Sequence, residues 1–399
     1  MAGGTCVSGA GWRRSRVSRA LNLGGPVTDR THVALIFGGQ SSEHGISCLT
    51  AASVLGALDP ERFDVVGVGI SRTGRWTQVP LETIRDYRII DGVAPEVAEP
   101  EHVAVWMVGE DGCQVATRDT SEHLADIHDV DVAFALLHGP FGEDGTIQGM
   151  FEMMGIRYVG SGVTSSAIGM DKHYMKVAFE AAGLPVWPYV VATAHRLRHH
   201  REQVHAEVAE KLTYPLFVKP ARGGSSIGIS RVTDPAQLDE AIDEAQKFDP
   251  KVVIEQGFTG ARELECAVLG DPDSPDGCHA SVIGEIRVKA DDGFYDYEAK
   301  YFDEDGAALD APADVTPELT ATLQELAKRS FLAVDAEGLV RADFFVTPEG
   351  DAFINEVNTM PGFTQISMWP TLWQVSGHTY PELVGRLVQL ALDRPVGLR

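Results

Sequence analysis

Short apolar runs that end in glycine, with stretches of helical spacing between them, constrain this chain most. Residues 32–37 (HVALIF) form such a run and stop at Gly38-Gly39. The run is continuous rather than alternating, as expected for a strand buried on both faces of a parallel sheet. Residues 46–58 follow with helical spacing, closed by Asp59-Pro60, and residues 63–70 (FDVVGVGI) give a second strand. A third strand covers 130–137 (VDVAFALL) and enters a glycine-rich turn. A helix over 146–154 and a strand over 156–159 come next. Strands alternating with helices specify an α/β fold with a helix-covered parallel sheet, and place a first α/β domain at 31–160.

A chain of 399 residues is expected to divide into two or three domains. A helix over 171–182 stops at Gly183-Leu184-Pro185. Strands over 215–219 and 229–232, a helix over 235–247 and strands over 252–255 and 263–269 follow. A central lobe is assigned to 161–257. The remainder, 258–399, holds a long loop at about 288–314, a helix over 317–334, strands over 340–346 and 352–357, and a last helix over 380–392. Residues 1–30 are expected to be a disordered extension. Arg13, Arg14, Arg16 and Arg19 sit there among serine and glycine, with no apolar segment of the kind a secretory signal needs.

The formal net charge is −25, from 33 basic and 58 acidic residues. Such a surface argues against nucleic acid or anionic lipid as a partner. An anionic ligand would need a local exception. No apolar run is long enough to span a bilayer. The five cysteines (Cys6, Cys48, Cys113, Cys266, Cys278) show no CxxC or metal-type spacing. They point to a reducing cytoplasm rather than to disulfides.

Two segments carry chemistry. The first, KPARGGSSIG at 219–228, lies between two strands and so forms a hairpin tip. Its glycines let backbone N–H groups approach an anion, Ser225 and Ser226 add hydroxyls, and Lys219 adds a cation. There is no GxxxxGK[ST] pattern, so it is not a Walker-type phosphate loop. An ordinary flexible hairpin is the competing explanation. The second segment pairs RAD (341–343) with NEVN (355–358) across a Pro348-Glu349-Gly350 turn. Alternation puts Arg341 with Asp343, and Glu356 with Asn358, on one face of each strand. If the strands pair, Asp343, Glu356 and Asn358 converge as hard oxygen donors suited to Mg²⁺. The alternative is a solvated polar face. The apolar neighbours Phe344, Phe345, Phe353 and Ile354, all expected to be buried, weigh against it, because burying unpartnered carboxylates is costly.

With these residues assembled, the chain resembles the D-alanine–D-alanine ligases of the ATP-grasp superfamily over residues 32–392. FGGQSSEHGIS (37–47), LLHGPFGEDGTIQG (136–149), GSGVTSSAIGMDK (160–172), VKPARGGSSIG (218–228), FYDYEAKY (294–301), RADFF (341–345) and NEVNTMPGFTQISM (355–368) occur in order. The resemblance implies a Rossmann-like parallel-sheet domain followed by two α+β lobes that clasp a nucleotide. It implies ATP-dependent joining of two D-alanines through an acyl phosphate, for peptidoglycan precursor synthesis. It implies ATP as co-substrate, two Mg²⁺ ions with Mn²⁺ able to substitute, two D-alanine sites, a homodimer and a cytoplasmic location. Lys172, Lys219 and Lys300 resemble the lysines on the nucleotide phosphates, with Gly224 and Ser226 in the phosphate loop. Glu255 and Phe258 resemble the adenine pocket and Glu263 the acid on the ribose, in a segment (EQGFTGARE) with Gln256 where many relatives carry lysine. Asp343, Glu356 and Asn358 resemble the metal ligands. Glu43 resembles the acceptor of the first ammonium, in a set with Ser225 and Tyr301, although a helix cap would be its bland role. His138 resembles the histidine near the first substrate, although a core histidine would be its bland role. Arg341 and the Gly362 N–H resemble the oxyanion-stabilising pair. Ser367 and Met368 resemble residues lining the second substrate's site. The base for the second amine is left among Tyr301, a Ser225 relay and phosphate itself. Two rival activities are a D-alanine–D-lactate ligase, against which Tyr301 argues, and another ATP-grasp carboxylate–amine ligase, against which the TMPGF–ISM segment argues. A non-catalytic nucleotide-binding protein would lack the metal ligands.

Overall fold

A computed structural model describes residues 30–110, 112–224, 227–258, 260–288 and 307–397. Ser225, Ser226, Lys300 and Tyr301, and with them the 294–301 segment, lie outside the described residues.

The first unit is built on a five-stranded sheet. Its elements are β1 (Thr31–Gly38), α1 (His44–Ala57), β2 (Phe63–Ile70), β3 (Trp76–Val79), α2 (Leu81–Arg85), β4 (Val103–Gly109), β5 (Gly112–Arg118), β6 (Leu124–Val130), β7 (Val132–Ala135), α3 (Thr146–Met154) and β8 (Arg157–Tyr158). The sheet order is β3-β2-β1-β7-β8, and β1 runs parallel to both β2 and β7. Val33 to Phe37 are all fully buried. Val33, Leu35 and Phe37 enter one core cluster, whereas Ala34 and Ile36 enter another. The unbroken apolar run therefore has a physical cause, since each face of β1 meets its own layer.

One expectation is corrected here. The run 130–137 is not one strand. β4, β5 and β6 form a separate antiparallel sheet, and the chain passes from β6 to β7 at Asp131. The Asp131 carboxylate accepts from the His32 backbone N–H at 2.8 Å and fixes that crossing. The exposed, polar β6 (LADIHDV) gave no apolar signal.

The second unit comprises α4 (Val163–Met170), α5 (Lys172–Ala181), β9 (Tyr189–Ala192), α6 (Ala194–His199), α7 (Arg201–Lys211), β10 (Leu216–Pro220), β11 (Ser230–Val232), a 3₁₀ turn (Pro235–Gln237), α8 (Leu238–Ala245) and β12 (Val252–Gln256). The expected helix over 235–247 is thus a 3₁₀ turn followed by a shorter helix. The sheet order is β11-β10-β12-β9. Leu216, Val218, Val252 and Ile254 bury one face with residues of α7 and α8. The other face carries Phe217, Lys219 and Glu255.

The third unit holds β13 (Arg262–Gly270), β14 (Cys278–Val288), β15 (Ala307–Asp310), α9 (Pro317–Ala333), β16 (Leu339–Val346), β17 (Ala352–Asn358), α10 (Met368–Val375) and α11 (Tyr380–Asp393), with sheet order β15-β14-β13-β16-β17. β15 lies inside the stretch expected to be loop. Leu264, Ala342, Phe344, Ile354 and Val357 pack beneath this sheet with α9 and with Met175 and Phe179 of α5. No helix among the described residues is long and apolar enough to cross a membrane. Cys48, Cys113, Cys266 and Cys278 are buried and unbridged.

Candidate active site

β16 and β17 pair antiparallel, with Asp343 opposite Glu356 and Arg341 opposite Asn358. The register slips between Asp343 and Phe344, which leaves Asn355 as an extra residue on β17. This β-bulge re-aims the strand, so that Phe353, Glu356 and Asn358 share a face despite their uneven spacing. Phe345 and Phe353 are consequently half-buried on that face, while Phe344 and Ile354 are fully buried below it, which corrects the expectation that all four are buried. β13 adds Glu263 opposite Phe345 and Glu265 opposite Asp343.

Arg341 binds this face together. Its Nε and one terminal nitrogen donate to the two Asp343 oxygens at 2.7 and 2.8 Å, and Nε lies 3.3 Å from Glu265. Burial disfavours its charge, but Asp343 and Glu265 more than offset that and keep the guanidinium firmly protonated. Asn358 Nδ2 donates to Asp343 at 2.9 Å. Among the described residues no ready-made cage of three or more His, Cys, Asp or Glu side chains exists. The donor set of Asp343, Glu356 and the Asn358 amide, all on one sheet face, nonetheless fits a hard cation that takes its remaining ligands from water and phosphate.

Facing this sheet is the cationic side of the second unit. Lys172 Nζ donates to the Gly223 carbonyl at 2.8 Å and lies 3.7 Å from Glu356. Lys219 Nζ donates to Glu255 at 2.6 Å. Burial works against the Glu255 charge, yet Lys176 and Lys219 hold its carboxyl well below the usual range. Burial likewise opposes the Lys219 charge, and Glu255 raises its affinity for the proton. Beside them Phe258 stacks on Trp187 at 4.1 Å and lies 4.3 Å from Phe345, and Phe353 meets the Trp187 edge at 4.6 Å. This aromatic cluster offers ring faces against which a flat heterocycle can pack. Gln256 accepts from the Thr213 backbone N–H at 2.9 Å.

The glycine loop is pinned at its start. Asp249, buried at 2% exposure, accepts from the Arg222 backbone N–H and from both ends of its guanidinium, all at 2.8 Å. β10 and β11 pair antiparallel around the loop, as the hairpin expectation requires.

Glu43 occupies the N-cap position of α1 but makes no side-chain capping bond, so the bland explanation for it fails. Gly38, at φ +90°, explains the turn that brings it there, since a Cβ would lie 2.3 Å from the Ile70 carbonyl oxygen. Glu43 Oε2 is so close to two glycines that a Cβ on Gly139 or on Gly224 would approach it to 3.2 or 3.3 Å. The acid thus sits beside the phosphate loop. His138 is 4% exposed. Its Nδ1 lies 3.2 Å from the Met360 carbonyl, while Nε2 has no partner among the described residues. Burial holds the imidazole below its ordinary affinity for protons, against the pull of Glu43. His138 is therefore not a fully satisfied core histidine. A cavity of about 230 Å³ opens beside it, at the carboxyl ends of β1 and β2, lined by Gly39, Ser41, Trp76 and Met150 among others. That is where ligands bind on parallel sheets.

Gly362 lies next to Ser367, whose Oγ is 2.7 Å from the Thr364 hydroxyl. Met368 starts α10 but is 5% exposed and packs in the core under Gly284.

Sequence inspection missed several residues here. Glu143 accepts from the backbone N–H groups of Gly139 at 2.7 Å and Met360 at 3.2 Å, tying the first unit to the 359–364 turn. Loss of hydration and the nearby Glu43 carboxylate push its carboxyl up to about 8. Glu265, Trp187 and Lys176 were also overlooked. Lys176 stands one helical turn beyond Lys172, a spacing that could have revealed it.

The model of the D-ala D-ala ligase N-terminus matches residues 32–161, and that of the D-ala D-ala ligase C-terminus matches 178–389. A D-alanine–D-alanine ligase of Pseudarthrobacter chlorophenolicus is 49% identical over 372 residues, covering 93% of this chain and 96% of its own. One from Mycobacterium sp. (strain KMS) is 50% identical over 378 residues, covering 93% and 98%. Among solved structures, the VanG D-Ala:D-Ser ligase of Enterococcus faecalis is similar with a TM-score of 0.75 at 32% identity, over 91% of this chain and 99% of that one. The D-alanine–D-alanine ligase of Coxiella burnetii is similar with a TM-score of 0.74 at 29% identity, over 92% and 94%. On the strength of this site and these matches, the chain belongs to the D-alanine–D-alanine ligase family.

Proposed function

We propose that this protein joins two D-alanine molecules, with ATP as co-substrate, into the D-alanyl-D-alanine of peptidoglycan precursors. The observation that supports this most is the pairing of β16 with β17, which sets Arg341, Asp343, Glu356 and Asn358 on one face opposite Lys172 and Lys219. Residues 31–160 form the substrate domain, and 161–257 and 258–399 form the lobes that clasp the nucleotide. Phe258 and Glu255, with Trp187, form the adenine pocket, and Glu263 takes the ribose. Lys172, Lys219, Lys300, Gly224 and Ser226 take the phosphates. Asp343, Glu356 and Asn358 hold two Mg²⁺, replaceable by Mn²⁺, which when bound neutralise phosphate charge. The active form is a homodimer in the cytoplasm.

The first D-alanine docks its ammonium on Glu43, near His138, with Ser225 and Tyr301 completing the set. Its carboxylate attacks the γ-phosphorus of ATP, ADP leaves, and an acyl phosphate forms. The protein's part is positioning and charge neutralisation. The second D-alanine, held near Ser367 above Met368, attacks the acyl carbon through its amine. The resulting oxyanion is met by Arg341 and the Gly362 N–H, each donor worth about 3–4 kcal/mol. Inorganic phosphate departs as the peptide bond closes. The relatives at about half identity are D-alanine–D-alanine ligases, which favours D-alanine over D-serine or D-lactate as second substrate.

The test uses D-alanine labelled with ¹⁸O in its carboxylate. An acyl phosphate route transfers one labelled oxygen per dipeptide to inorganic phosphate. Dipeptide formed with unlabelled phosphate would rule that route out.

A further inference from the structure

Two buried side chains and a third at the edge of the cleft form an ion cluster that no step above uses in full. Glu255 is 6% exposed, with one carboxylate oxygen 2.6 Å from Lys219 Nζ and the other 3.0 Å from Lys176 Nζ. The two lysines arrive from different scaffolds. Lys219 is on β10, the strand next to β12 and Glu255, and its side chain keeps 13% of its surface exposed at the cleft. Lys176 is on α5, whose Met175 and Phe179 are locked into the core of the third unit, and it is only 2% exposed. One ammonium borders the open cleft. The other is walled in beneath the Tyr189 ring, 5.7 Å from its centroid.

At the Glu255 carboxylate two ammoniums meet one acid, with Glu356 and Glu263 acting on Lys219 from further off. A nucleotide that draws Lys219 to its phosphates takes it away from Glu255. With a single partner, that departure would strand a buried carboxylate, which is strongly disfavoured. With two, the carboxylate stays compensated while Lys219 leaves. Resting on the nucleotide site proposed above, we infer that Lys176 is a positioning residue: as the fixed counter-ion of Glu255, it frees Lys219 to pass from that carboxylate to the nucleotide phosphates. A charged Lys219 thereby waits in the cleft of a chain whose net charge is −25. The same helix face carries Lys172 one turn earlier, so α5 holds one lysine for the ligand and one for the protein.

A double-mutant cycle on the full-length enzyme tests this, with calorimetric binding of the non-hydrolysable analogue AMP-PNP plus Mg²⁺ as readout. Lys176→Met weakens binding about tenfold or more and raises the KM for ATP similarly, while kcat at saturating ATP changes less than about twofold. In a Glu255→Gln background the carboxylate paired with Lys219 is gone, and adding Lys176→Met then changes binding less than about twofold. Unaltered binding by Lys176→Met, or equal losses in both backgrounds, overturns the inference. Should Lys176→Met alone not fold, the pair Glu255→Gln and Glu255→Gln/Lys176→Met buries no bare carboxylate and decides by itself: a further loss above about twofold refutes it. Phosphate release by the unaltered enzyme with D-alanine is measured in parallel. Its absence would sink the ligase assignment and leave the binding cycle valid.

Discussion

Arg341 serves two partners at once, and its substitution should reveal both. It forks onto Asp343 and lies against Glu265, whose side chain is 4% exposed. Arg341→Ala should lower kcat by about 10²–10³-fold through loss of the oxyanion donor. It should also lower stability by about 3–5 kcal/mol, because Glu265 loses its buried counter-charge. Arg341→Lys restores charge without the fork, so it should recover the melting temperature more fully than kcat. Nucleotide binding survives in both; near-normal dipeptide synthesis by the alanine variant would remove Arg341 from the chemistry. Glu143 gives a pH signature. Its carboxyl is raised from an ordinary 4.5 to about 8, so the folded protein keeps a proton that the unfolded chain has lost. Between those values the folded state binds more protons, and stability falls as pH rises through the window. Above it the loss is complete. Glu143→Gln cannot titrate, so its melting temperature should decline less than that of the wild type from about pH 5 to about pH 8. Parallel declines would show that Glu143 is already ionised.

At the scale of elements, the glycine loop depends on its anchor. Asp249 holds Arg222 through three hydrogen bonds, and α5 docks beside it where Lys172 N–H meets the Ala221 carbonyl at 2.9 Å. Asp249→Ala should free the loop, raising the KM for ATP about tenfold and lowering the melting temperature. An unchanged KM would mean the loop needs no pin. The β16–β17 pair could be read in advance because one turn joins two strands whose polar residues alternate. The bulge at Asn355 could not, because it arises from a register slip that side-chain alternation does not encode. The β4–β6 sheet escaped for a different reason: β6 is exposed and polar, and carries no hydrophobic period to detect. Glu43 was legible as a candidate, but only the geometry of α1 shows that it is not a cap.

Across the whole molecule, the cleft gathers side chains from distant parts of the chain: Glu43, His138, Lys172, Lys219 and Arg341 come together only after the three sheets have folded. Lys172, Lys219, Glu255 and Arg341 could be picked out along the sequence, but Lys176, Glu143 and Glu265 were missed, because partnerships such as Glu255 between two lysines depend on tertiary packing. Because ligands tie these units together, AMP-PNP with Mg²⁺ at 100 times its Kd should stabilise the fold by about 2.7 kcal/mol. Metal removal with a chelator should abolish that gain together with turnover, as seen by thermal melting with and without added Mg²⁺. The most direct test of the central claim is phosphate release from ATP with D-alanine, L-alanine and D-lactate supplied in turn. The account predicts rapid release with D-alanine, one phosphate per D-alanyl-D-alanine formed, and little with either of the others. Release independent of D-alanine, or equally fast with L-alanine, would contradict it.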